Sequence, residues 1–172
     1  MSITFSKETL EIVDKMIARY PEGKQKSALI PVLHLAQAEF GGWLSPETMD
    51  YVAEVLNIKP IEVYEVASFY SMFNLKPVGK CVLEVCHTGP CAINGAEELV
   101  SYLEQKLKIK VGETTSDGMF TLKEVECLGS CGTAPMLQCG KDYFENLTNE
   151  KVDAILEKMK SENRLRSYVD TI

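Results

Sequence analysis

The chain has 172 residues, 45% of them apolar and 25% charged, and carries a formal net charge of −7. This is globular composition, long enough for one ordinary domain or a domain with a helical extension. The charge argues against a nucleic-acid partner: residues 1–76 hold 7 Lys/Arg against 10 Asp/Glu, and residues 77–172 hold 11 against 15. The densest basic stretch, KLKIK at 106–110, reads as a solvated helix end and not as a phosphate footprint.

In chain order, every signal up to residue 76 is helical. Ser6 caps a first helix whose apolar positions are Leu10, Val13, Met16, Ile17 and Tyr20, with Pro21 closing it. Ser27 opens a second through Leu29, Val32, Leu33, Ala36 and Phe40, which Gly41-Gly42 stops. Ser45-Pro46-Glu47 supplies a cap, a proline in the first turn and an early acid for a third helix through Met49, Val52, Ala53 and Leu56. Pro60 begins a fourth with Val63, Tyr64 and Ala67, running toward Phe69 and Phe73. Trp43 is expected to plug this bundle, and His34 to be structural or exposed.

After residue 76 the period changes. Cys81–Val85 reads as a buried strand, 94–106 as a helix with Leu99, Val100, Leu103 and Leu107 on one face, and Phe120–Val125 as a strand entered through Asp117-Gly118. Residues 136–139 and 143–144 form a hairpin around Gly140-Lys141-Asp142, and Thr148 caps a last helix with Val152, Ile155, Leu156 and Met159. The tail, 161–172, is expected to be loose or to dock on a partner. The fold class is therefore α+β: a short-helix bundle over 1–76, then a small mixed sheet with packed helices over 77–172.

No run approaches the roughly 20 apolar residues that cross a bilayer, and the first residues lack the basic-then-apolar pattern of a secretory signal. The expected compartment is thus reducing, where structural disulfides are rare and regularly spaced cysteines point to metal or redox chemistry. Cys86 and Cys91 follow the first strand in VCHTGPC, and Cys127 and Cys131 follow a later one in ECLGSC, with thirty-five residues between the pairs. Four thiolates at one sheet edge could grip a zinc ion or an iron–sulfur cluster. Gly129, Gly132 and Ala134 bring bare backbone close enough to donate N–H groups to sulfide. Spacing and loop composition alone leave cluster and zinc level. Cys81 and Cys139 lie inside strands and read as small core residues. His87 is the one candidate base beside a thiol, with a hydrogen bond to a cluster or an iron-ligand role as alternatives.

The chain resembles the NuoE-type family, the small two-iron subunits in the peripheral arm of bacterial NADH:quinone oxidoreductase, respiratory complex I. The resemblance covers nearly the whole chain, from SALIPVLHLAQAEFGGWLSPETMDYVAEVLNIKPIEVYEVASFYSMF through VCHTGPC and ECLGSCGTAPM to YFENLT. It implies a thioredoxin-like ferredoxin domain behind the helical bundle, carrying one [2Fe–2S] cluster. The family's ligands carry over to Cys86 and Cys91 for one iron, and to Cys127 and Cys131 for the other. Cys139 stands where the family usually shows an aliphatic residue.

The resemblance further implies an electron-transfer subunit with no catalytic residue or substrate site of its own. FMN and NADH belong to a larger flavoprotein partner, with which the cluster exchanges single electrons. In agreement, no G-x-G-x-x-G follows a strand and no P-loop is present. The location implied is cytoplasmic, in a peripheral arm without direct membrane insertion. Equivalent subunits of NAD(P)-linked hydrogenases or formate dehydrogenases are the alternative. From other classes come a zinc-stabilised interaction module and a thioredoxin-like thiol oxidoreductase.

Overall fold

The computed structural model describes residues 3–169. The chain divides into two compact units, Met1–Pro77 with Ser167–Ile172, and Val78–Arg166.

In the first unit, α1 (Lys7–Ile17) starts where the Ser6 hydroxyl accepts the Thr9 N–H at 3.2 Å. A single 3₁₀ turn, Gln25–Ala28, precedes α2 (Leu29–Glu39). Ser45 caps α3 (Pro46–Leu56) through the Thr48 N–H, and α4 spans Pro60–Phe69. These are the four helices read from the sequence, and Val13, Val32, Leu33, Val52, Leu56 and Val63 close over one buried core. Leu44, and not Trp43, is the plug: Leu44 is fully buried while Trp43 stays half-exposed. The turn after α2 is tied by Gly42 N–H to Gln37 O and Leu44 N–H to Asn74 O, at 2.8 Å each, which turns Leu44 inward. His34 is half-buried between the rings of Phe73 and Tyr168, and burial holds its pKa below the ordinary value.

The second unit holds β1 (Cys81–Cys86), α5 (Gly89–Ile93), α6 (Ala96–Leu107), β2 (Phe120–Val125), β3 (Leu137–Cys139), β4 (Asp142–Phe144) and α7 (Asn149–Glu162). The sheet order is β2-β1-β3-β4, with β1 parallel to β2 and antiparallel to β3. One face carries Cys81, Leu83, Val85, Phe120, Leu122 and Leu137 into a core shared with Leu103 of α6 and Leu156 of α7. Tyr102 and Lys106 of α6 both bond Asp153 of α7, so the two helices lie side by side on that face. As expected of a solvated helix end, Lys106 and Lys110 pair with Asp153 and Glu104. The opposite face is polar: Glu84 faces Lys123 on β2 and Gln138 on β3.

Part of the tail is fixed. The Arg166 N–H bonds Lys80 O at 2.8 Å, and its guanidinium, 6% exposed, pairs with Asp142 and Glu162. Val169 packs on the first unit's core; residues 170–172 of the expected tail lie outside the described residues.

The β1–β2 register is anchored at the end far from Cys86. Gly79 donates to Thr121 Oγ1 at 2.7 Å, and Cys81 N–H bonds Met119 O at 2.8 Å. A Cβ on Gly79 would stand 2.9 Å from backbone atoms of Met119 and Phe120. Gly79→Ala is therefore expected to cost about 1–3 kcal/mol by forcing the strands apart, read as a lowered midpoint in urea unfolding.

Candidate metal centre

The parallel β1–β2 pairing is in register from Cys81↔Phe120 to Cys86↔Val125, so both strands end together. His87 N–H bonds Val125 O at 3.3 Å and extends the alignment one residue beyond the strands. Cys86 is the last residue of β1, and Cys127 follows β2 by two residues. Thus two cysteine loops far apart in sequence leave the sheet from one edge.

The first loop turns at once into α5, a helix of five residues that brings Cys91 back under Cys86. Cys91 N–H bonds Thr88 O at 2.8 Å. Thr88 stands at the helix's cap but does not cap it with its side chain; its hydroxyl lies 3.6 Å from Cys86 Sγ. The Thr-Gly-Pro run was a legible start signal for this helix, and five residues gave no periodicity to complete it. The second loop turns at Gly129, with φ +77°, and Cys131 opens a 3₁₀ turn, Cys131–Thr133.

Cys86 and Cys91 are buried, with Ala96 and Met136, against Leu128 and Ala134, while Cys127 and Cys131 are exposed. The quartet thus has a dry inner pair and a wet outer pair. Burial pushes the Cys86 thiol up, but the Leu128 N–H, the Thr88 hydroxyl and N–H, and the Cys91 thiol outweigh it and leave Cys86 below the ordinary value. Cys91 is pushed up to about 11 by burial, by its bond to Cys86, and by the charges of Cys86, Cys131 and Cys127. Leu128 belongs to the second loop and packs against Cys86 and Cys91, so the two loops meet there.

The second loop is held from outside by residues that no sequence motif marked. Tyr143 Oη donates to Leu128 O at 2.9 Å. The Ser130 and Thr133 hydroxyls both reach Glu145 Oε1, the latter at 2.5 Å, and Asn146 N–H bonds Thr133 O at 2.7 Å. These residues lie twelve or more positions along the chain, beyond the reach of any local pattern.

The other candidates fall elsewhere. Cys81 and Cys139 are fully buried in the sheet's core. The Cys139 S–H bonded to Cys81, together with burial, keeps Cys139 a neutral thiol. His87 Nε2 lies 3.9 Å from Glu126 Oε1. As the side chains stand, no group of three His, Cys, Asp or Glu among the described residues converges closely enough to hold a metal ion. What the site does offer is an all-sulfur donor set, an apolar floor and a Thr88 hydroxyl beside the Cys86 sulfur, which suits a soft thiolate-ligated centre. Among the described residues no helix is long and apolar enough to cross a membrane.

A sheet edge that presents paired cysteine loops defines a class, the thioredoxin-like [2Fe–2S] ferredoxins, and the profile of that family matches residues 13–160. The E subunit of the NADH-quinone oxidoreductase of Rickettsia conorii is 44% identical over 94% of this chain and 96% of its own, and that of Rickettsia felis 45% over 91% and 94%. The mitochondrial NADH dehydrogenase [ubiquinone] flavoprotein 2 of Dictyostelium discoideum is 46% identical over 91% of this chain and 64% of its own. The chain belongs to the NuoE-type family, the E subunits of NADH-quinone oxidoreductases. Among solved structures, an air-oxidised NAD+-reducing [NiFe]-hydrogenase shares the fold, with a TM-score of 0.67 and 21% identity over 78% of this chain. The chain spans only 23% of that hydrogenase chain.

Burial sorts the thiols. In cluster-free protein, an aqueous disulfide reagent is expected to consume Cys127 and Cys131 first, and the remaining four thiols roughly tenfold or more slowly. Kinetics with all six thiols equivalent would contradict the inner and outer pairs.

Proposed function

We propose that this chain is an electron-transfer subunit of an NADH:quinone oxidoreductase, holding one [2Fe–2S] cluster on Cys86, Cys91, Cys127 and Cys131. Cys86 and Cys91 take one iron, and Cys127 and Cys131 the other. The observation that supports the assignment best is the in-register parallel pairing of β1 with β2, which ends both strands together and brings the two cysteine loops to one edge. When bound, such a cluster supplies a one-electron carrier.

The protein's part is to hold and insulate. The inner pair sits on the floor made by Ala96, Met136, Leu128 and Ala134, which keeps water from that side of the centre. The Leu128 and Thr88 N–H groups stabilise negative charge on sulfur, the state that thiolate ligands require. Exposure of Cys127 and Cys131 leaves the outer side open to a partner. That partner is the complex's flavoprotein subunit, which binds FMN and NADH and passes single electrons to this chain. NADH chemistry is a two-electron hydride transfer, so a one-electron acceptor beside the flavin separates the pair. The chain has no substrate site of its own, and it works on the cytoplasmic side, in an arm peripheral to the membrane.

A place in an NAD(P)-linked hydrogenase is the second reading, favoured by the shared fold; co-purification with hydrogenase subunits in place of quinone-reductase subunits would establish it. Iron and acid-labile sulfide assays, with low-temperature EPR of dithionite-reduced protein, test the cluster. Cys86→Ser and Cys127→Ser are expected to abolish or strongly alter the two-iron signal, and Cys139→Ser to keep it. A colourless protein containing zinc and no sulfide would replace this reading with a zinc-held module.

A further inference from the structure

Four hydrogen bonds that fix the second cysteine loop from outside come from one short segment, residues 143–146. Tyr143 Oη holds Leu128 O at 2.9 Å, and that same Leu128 packs against the buried Cys86 and Cys91. Glu145 Oε1 accepts from the hydroxyls of Ser130 and Thr133, the residues one before and two after Cys131. Those hydroxyls also meet each other at 2.6 Å, and Asn146 N–H closes on Thr133 O at 2.7 Å. A phenol therefore holds the loop at the first cysteine's neighbour, and a carboxylate holds it on both sides of the second.

Glu145 is chemically distinct from the rest of this clamp. Ser130 or Thr133 could be held by any acceptor, such as a backbone carbonyl or an amide. A carboxylate brings a full negative charge with it. The two hydroxyl hydrogen bonds hold that carboxyl below the usual carboxylate range, so it is ionised at neutral pH. Its outer face is exposed to water, which screens the charge without abolishing it. A negative charge fixed beside a redox centre opposes the arrival of an electron there and lowers its reduction potential. Hydrogen bonding and charge just outside the ligands are the levers by which a protein sets such potentials.

We propose that Glu145 is a positioning residue for the iron–sulfur centre: it braces the Cys131 turn through Ser130 and Thr133 and lowers the centre's reduction potential by its charge, with Tyr143 bracing the Cys127 side. This rests on the ligand assignment of the preceding section. Its two effects separate by substitution. Glu145→Gln retains an acceptor oxygen for the hydroxyls and removes the charge. Glu145→Ala removes both. Tyr143→Phe removes only the hydroxyl that holds Leu128.

The test is an EPR-monitored redox titration of the full-length, cluster-loaded protein and these three variants, with Glu157→Gln on α7 as a charge control outside the clamp. Glu145→Gln is expected to raise the midpoint potential, increasing the reduced-to-oxidised ratio at a fixed poise by roughly threefold, with an unchanged line shape. Glu145→Ala is expected to raise it similarly and to broaden the EPR signal, because Ser130 and Thr133 lose their common anchor. Tyr143→Phe is expected to alter the line shape with a smaller change in potential. Glu157→Gln is expected to leave both at the wild-type values. Cluster-bearing Glu145→Gln with a wild-type midpoint, or one no higher than Glu157→Gln, overturns the proposal and leaves the functional reading standing. Wild-type protein that holds no iron after anaerobic reconstitution overturns both.

Discussion

The parallel hydrogen bonding of β1 to β2 is the constraint on which the site depends. A parallel neighbour requires a crossover connection, here the stretch through α5 and α6. In exchange the two strands end side by side, with Cys86 opposite Val125. An antiparallel partner would have put the second cysteine loop at the far end of the sheet. The register matters as much as the direction, since a slip of one residue turns every side chain to the opposite face. Leu83 and Val85 would then leave the core, and Glu84 and Cys86 would enter it. The close approach of Gly79 to the backbone of Met119 and Phe120 guards against that slip from the far end of the strands.

On this edge the four thiols are unequal. Two stand on an apolar floor and two face water. The inner pair is shaped by short-range sequence, with Thr88 and α5 folding Cys91 back beneath Cys86. The outer pair is shaped by long-range contacts, since Gly129 permits the turn but Tyr143, Glu145 and Asn146 hold it. The loop with the small residues thus takes its rigidity from a segment more than ten residues away. Small residues keep the backbone bare near the sulfurs, and they leave the bracing to others.

Much of this was legible in the sequence because helix caps and strand rhythm are local. Ser6, Ser45 and Thr148 each begin a helix where expected, and Phe120–Val125 is a strand over the residues read as one. The spacing of Cys86, Cys91, Cys127 and Cys131 made them the candidates. What escaped was set by distance along the chain. The Glu84–Lys123 opposition exists only once the register is known. Leu44 takes the place expected for Trp43 because a bond to Asn74, thirty residues on, fixes the turn. The five-residue α5 is too short for any periodic pattern, and its cap residue faces sulfur.

The buried Arg166 carries these relations to the end of the second unit. Its guanidinium joins Asp142, the first residue of β4, to Glu162, the last of α7. Tyr143 follows Asp142 directly, so the strand that steadies the cysteine turn is itself moored to this arginine. Shortening a gene by the codons after α7 would look harmless from helix and strand assignments. It would set Asp142 and Glu162 free of their shared cation and unfasten β4 from the end of α7.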